Sequence, residues 1–163
     1  MNTMLNKSMN KIHEWLHKIQ SLAGWRTYDE GRALAFLRAT LHELRDNSPI
    51  ENLAHFSTQL PLIARGLLFE EWVPSRPLLR ERKREEFLYG VYSHLPDVYQ
   101  PDLYQDEDPE TAVLAVLQTL MSKMDINEIL KLQKVLPHGI RELFTAASEG
   151  IQYGNPPYAD EEL

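Results

Sequence analysis

The chain has 163 residues, 43% hydrophobic and 25% charged, which fits one soluble domain able to bury roughly two-thirds of its unfolded surface. A net charge of −7 argues against a dedicated nucleic-acid binder, which needs basic surface to displace counterions. The absence of cysteine excludes disulfides, thiolate nucleophiles and cysteine-bound zinc or iron–sulfur sites, and it suits a reducing cytosol.

The opening MNTMLNKSMN is polar and lacks the apolar run of a signal peptide. No stretch approaches the roughly 20 apolar residues that cross a bilayer, so the expectation is a soluble protein of a bacterial-type cytoplasm, with no membrane partner. Helical spacing then dominates, and nothing reads as a strand. From Asn10 to Leu22, the residues Ile12, Trp15, Leu16, Ile19 and Leu22 form one apolar stripe, and Gly24 ends that helix. Thr27 to Glu30 open the next helix, with Ala33, Leu37, Leu41 and Leu44 on one face, running to Asn47. Ser48-Pro49-Ile50-Glu51 reads as a capping box with proline at the first helical position. Leu60-Pro61 predicts a helix–helix corner, because proline disfavours helical geometry in the residue before it yet begins a helix well. A short helix from Pro61 to about Glu71 follows, then a linker over 72–82.

A second series begins near Lys83, where Phe87, Val91 and Leu95 echo Trp15, Ile19 and Ala23. The extra stretch PDVYQPDLYQDEDP precedes Asp108-Pro109-Glu110, which caps a helix with Val113, Val116, Leu117, Leu120 and Met124 inward. Asp125-Ile126-Asn127-Glu128 starts another helix. Leu136-Pro137 repeats the corner, and a short helix runs from Pro137 to about Ala147. Residues 148–163 read as a loose acidic tail.

The echo is a repeat. Leu37 to Leu68 lies over Val113 to Phe144 at a constant offset of 76 without a gap. Ala39 matches Ala115, Leu41 matches Leu117, Leu44 matches Leu120, Ile50 matches Ile126, and Leu60-Pro61, Arg65 and Leu67 match Leu136-Pro137, Arg141 and Leu143. The predicted fold is therefore all-α: a tandem duplication of a four-helix unit, repeat 1 over 8–71 and repeat 2 over 83–147, packed into one eight-helix domain. Each unit alone would be small for an independent core, so the two are expected to share one.

The stretch ALAFLRATLHELRDNSPIENLAHFSTQLPLIARGLLFEEWVPS, followed by REEFLYGV, resembles the bacterial family called domain of unknown function 2267. The resemblance rests on Leu41-His42, Leu44-Arg45-Asp46, Gln59-Leu60-Pro61, Arg65-Gly66 and Trp72-x-Pro74, with Trp25 and Phe87 also fitting. It implies a helical fold and no activity. The second copy keeps Leu136-Pro137 and Arg141 but has Glu142 where Gly66 stands in the first.

His13-Glu14-Trp15-Leu16-His17 spells H-E-x-x-H, which sets two imidazoles on one helix face beside a carboxylate and is the zinc-hydrolase pattern. Against it, Lys11 and Lys18 flank the motif, no strand signal supplies a substrate-binding sheet, and the matching Glu85-Glu86-Phe87-Leu88-Tyr89 has no histidine. An amphipathic helix with solvated histidines is the preferred reading. No catalytic set, metal site or cofactor is predicted.

Arg65 and Arg141 recur at one step of both short helices, among apolar neighbours; each either holds helices together or waits for a carboxylate or phosphate. Trp72 either covers the end of the core or anchors a partner. His42 and Glu43 are adjacent in a helix and so point about 100° apart, which argues against an acid–base dyad. Arg80, Arg82, Lys83 and Arg84 form a basic run compensated by Glu81, Glu85 and Glu86. The acidic Asp106, Glu107, Asp108 and Glu110 do not have EF-hand spacing and read as cap plus loop. The expected function is a non-enzymatic helical module binding a protein partner or small ligand, as a monomer or homodimer, near Arg65, Trp72 and Arg141; the alternative is a zinc-dependent hydrolase.

Overall fold

The structure, a computed structural model, describes residues 2–79 and 83–153, with side chains described as far as Glu149. Among these residues there are eight α-helices and no β-strand: α1 Thr3–Ala23, α2 Glu30–Asp46, α3 Ile50–Thr58, α4 Leu62–Leu68, α5 Arg84–Ser93, α6 Pro109–Lys123, α7 Ile126–Val135 and α8 His138–Tyr153. Two short 3₁₀ turns, Asp97–Tyr99 and Pro101–Leu103, lie between α5 and α6.

Local chemistry accounts for most boundaries. Gly24, at φ 68°, stops α1 in the left-handed conformation that glycine adopts without strain. Asp29, Asp108 and Asp125 cap α2, α6 and α7, their carboxylates accepting the amides of Arg32, Glu110 and Asn127. Leu136, the residue before Pro137, has the extended backbone that proline sterics require, and at the first corner Pro61 is itself extended as the cap of α4.

Three expectations need revision. α1 begins at Thr3 rather than Asn10, because Asn2 caps it by accepting the amide of Met4. Ser48 does not cap α3; its hydroxyl turns back to donate to the Leu44 carbonyl, 2.6 Å away, and closes the end of α2 instead. α8 continues to Tyr153, past the boundary expected at Ala147; residues 154–163 of the expected tail lie outside the described residues.

One hydrophobic cluster draws side chains from all eight helices, with Trp15, Phe36, Phe56, Phe87 and Phe144 at its centre. α1 packs on α2, α4 and α6; α6 packs on α2 and α8; α5 packs on α2 and α8; α3 faces α7. α1 and α6 run antiparallel, since Arg26, just past the end of α1, meets Glu107, just before the start of α6. α6 and α8 run parallel. Their starts lie at one end, since Arg84 pairs with Glu110 in the first turn of α6 and lines one depression with His138 and Arg141 of α8; further along, the Gln118 side chain donates to the Ala147 carbonyl at 2.8 Å.

Candidate functional site

The second half of α2 carries polar side chains into the body. His42 and Arg45, three residues apart, share one helix face and both reach the end of α4. Nε2 of His42 lies 2.7 Å from the Leu67 carbonyl oxygen. Arg45 donates from Nη1 to the carbonyls of Leu68 and Glu70 at 2.9 and 2.6 Å, and from Nε to Asp46 at 3.0 Å. A helix leaves its last carbonyls without partners, and here α2 supplies the donors that α4 lacks. Arg65 does the same for α3, donating from its guanidinium to the carbonyls of Ser57, Thr58 and Leu60 at 2.9, 3.3 and 3.1 Å.

Glu43 points to α5. Its buried carboxylate lies 3.1 Å from Nε2 of the half-exposed His94. Gly90 makes room for this contact, because a Cβ there would collide with the Glu43 carboxyl group. The His42 and His94 rings meet edge to face, 6.0 Å between centroids. Sequence spacing placed His42 and Glu43 on different headings, but it missed that His94, at the end of α5, meets both.

Burial holds the His42 imidazolium disfavoured, and the Arg45 and His94 charges add to that; the Leu67 hydrogen bond and Glu70 oppose it, leaving a pKa below the ordinary 6.5. The unfolded chain therefore takes up a proton at this ring before the folded one. The stabilisation is complete above about pH 6.5 and declines as the pH falls through the depressed folded value. Thermal midpoints measured from pH 7.5 to 5 should fall more steeply for the wild type than for His42→Gln. Parallel curves would show that His42 does not carry this pH dependence.

The extra stretch before α6 is fastened to the α1–α2 corner by Arg32, which sequence reading overlooked. Its buried guanidinium carbon stands 4.1 Å from the Trp25 ring centroid and 3.6 Å from that of Tyr104, and Nη1 donates to Glu107 at 3.1 Å. The other Glu107 oxygen accepts the Arg26 amide at 3.3 Å. Asp106 pairs with Arg26, Asp108 caps α6 and Glu110 pairs with Arg84, so each acid of the cluster has a cap or cationic partner. The only sequence signal for the clamp was an arginine in the apolar opening turns of α2.

The two histidines of H-E-x-x-H turn to different partners. Nδ1 of His13 lies 2.7 Å from Glu30, and the His17 ring stacks on Tyr28 at 5.2 Å. Among the described residues no group of three or more His, Cys, Asp or Glu could hold a metal ion. No described helix is long and apolar enough to cross a membrane.

Arg65, Trp72 and Arg141 stand apart. Arg65 lies over the end of α3, as above. Trp72 is half-buried against Phe69, 5.2 Å between rings, and lines a cleft of about 20 Å³ with Arg45 and Asp46. Arg141 is exposed and lines a separate depression with Arg84, Gln133 and His138. Among the described residues its side chain makes no hydrogen bond or ion pair, unlike its counterpart Arg65. Of the basic run, Lys83 precedes α5 and Arg84 pairs with Glu110; Arg80 and Arg82 lie outside the described residues.

The start of α1 presents a different surface. Ile12, Leu16 and Ile19 are buried, and Leu5 and Met9 extend the same stripe upstream at steps of four, three, four and three residues. Yet Met4, Leu5 and Met9 are 61%, 49% and 46% exposed. Beside them a groove of about 720 Å³ runs between α1 and the start of α4, lined by Met4, Lys7, Lys11, Glu14, Pro61 and Leu62.

The model of a family described as an uncharacterized conserved protein (DUF2267) matches residues 12–143. No curated protein matches the chain.

Proposed function

We propose that this chain, which belongs to the uncharacterized conserved protein family DUF2267, is a non-enzymatic helical binding module. The observation that carries the reading is the uncovered stripe of Met4, Leu5 and Met9 beside the groove at the start of α4. Contiguous apolar residues on a helix face, left in water next to a groove, match the way proteins seat an amphipathic segment of a partner. In this reading Arg65 and Trp72 belong to the scaffold, because their polar and aromatic groups already serve α3 and Phe69. Arg141 remains available to a carboxylate at a second contact.

We also infer that the body is a tandem duplication of a four-helix unit, over 8–71 and 83–147. Exchange of the halves maps one set of helix neighbours onto the other, which supports this. α1 on α6 answers α5 on α2, α2 on α4 answers α6 on α8, α1 on α4 answers α5 on α8, and α3 meets α7. The exposed start of α1 falls outside that correspondence, since α5 begins at the position matching Ile12. A surface found in one half alone suits an added function better than a structural need.

The test is affinity capture from native lysate with the wild type, with Leu5→Glu/Met9→Glu and with Arg141→Ala, each with an unchanged melting temperature. Loss of a captured partner in the double variant is the expected result. Equal capture by the wild type and the double variant, or loss confined to Arg141→Ala, would move the site away from α1.

A further inference from the structure

One wall of the groove between α1 and the start of α4 carries apolar and cationic side chains in a single row. Met4, Lys7, Lys11 and Glu14 line it and succeed one another at steps of three, four and three residues. The opposite wall is Pro61 and Leu62, and the apolar Leu62 is 51% exposed. An apolar end at Met4 and Leu62 therefore adjoins two cations about 6 Å apart along the helix axis.

The charge here is opposite to that of the chain. Residues 2–11 hold Lys7 and Lys11 and no carboxylate, within a total of −7. Among the described residues neither lysine forms an ion pair. The first turn of α1 has no acidic residue to offset the positive end of the helix dipole, which lies at the same place. An occupant of this groove has to complement both its positive potential and its exposed apolar surface.

Three kinds of occupant differ in how well they do so. A second copy brings two more lysines to the first two, with Glu14 as the sole carboxylate lining each groove. An anionic lipid surface is flat, whereas Met4 and Leu62 stand on the two walls of a cleft, and it repels a chain of −7. A helix is a rod that fits between two others, and it can carry carboxylates on one flank and apolar residues on the next.

We propose that the α1–α4 groove seats an acidic amphipathic helix of a protein partner. Its apolar stripe covers Met4 and Leu62, and two carboxylates one turn apart face Lys7 and Lys11. This rests on the reading of the α1 start as the docking face and adds the chemistry of what docks there. Glu14, at the far end of the row, repels a third carboxylate one turn further on, so it fixes the register of the bound helix.

Selection on the full chain from a displayed library of amphipathic helices reads this chemistry directly. The apolar stripe of the library is leucine, and the flanking positions vary among Glu, Gln and Lys. The wild type should enrich Glu at two positions four residues apart on one flank. Peptides made from the winners should bind about tenfold more weakly once those Glu become Gln. Lys7→Glu/Lys11→Glu, a change at two exposed positions, should enrich Lys there instead. Winners without a charge preference that are lost in Leu5→Glu/Met9→Glu overturn the acidic partner and leave the docking face standing. Winners that bind Leu5→Glu/Met9→Glu as well as the wild type show that the face itself is wrong. Sedimentation with phosphatidylglycerol vesicles that depends on Lys7 and Lys11, or a dimer in light scattering that Lys7→Glu/Lys11→Glu alters, puts a membrane or a second copy in the groove and overturns the proposal.

Discussion

Replacing Arg45 with methionine lowers the unfolding free energy by about 3 kcal/mol, read from urea or guanidinium titration. The side chain is 4% exposed and serves three acceptors, the carbonyls of Leu68 and Glu70 and the carboxylate of Asp46. Methionine fills much of the same volume, so the loss reports on polar partners rather than on a cavity. The carbonyls of Leu68, the last residue of α4, and of Glu70 then lose this donor, and among the described residues the largely buried Asp46 carboxylate keeps Arg76, at 3.9 Å. α4 has seven residues and no side-chain cap of its own, so it depends on this outside donor more than a long helix would. Arg45→Lys recovers part of the loss at most, because one ammonium cannot reproduce the planar fork that spans these acceptors. A change below about 1 kcal/mol would show that water replaces the guanidinium at the end of α4.

Arg32→Ala costs about 2–4 kcal/mol and loosens residues 96–107 before the rest of the body. The guanidinium lies between the faces of Trp25 and Tyr104 while bonding Glu107, a desolvated cation–π arrangement that also neutralises a carboxylate only 18% exposed. Alanine removes the cation and both ring contacts and leaves Glu107 with the Arg26 amide as its remaining partner in this corner. Hydrogen exchange followed by mass spectrometry checks the result: amides over 96–107 should exchange faster, with α3 and α7 protected as before. Uniform acceleration across the chain would make Arg32 a general core residue rather than the fastening of this loop. Arg32→Lys should recover less than half of the loss, since an ammonium lacks the flat face that stacks on two rings.

Helical class, element order and most ends were legible along the chain because their causes are local. A 3.6-residue apolar period declares a helix whatever it packs against, glycine stops one, and Asp108 and Asp125 sit where a cap must sit. The Leu-Pro corners followed from the sterics of a single residue pair. The start of α1 was misjudged for a reason equally local: its polar and weakly helical residues outweighed Leu5 and Met9, the two apolar positions that continue the stripe before Ile12. Ser48 shows where local rules stop, since a hydroxyl suited to accept an amide at the start of α3 instead donates to the carbonyl behind it.

The partners of the charged residues were decided only by the tertiary structure. Arg65 and Arg141 are equivalent in the sequence, yet one donates to three carbonyls and the other faces an open depression. His94 meets Glu43 across 51 positions, and Arg32 meets Glu107 across 75. Periodicity encodes which face of a helix turns inward, because burying apolar area needs no particular partner. A hydrogen bond or ion pair needs two groups within about 3 Å at a suitable angle, and that depends on how separate helices cross.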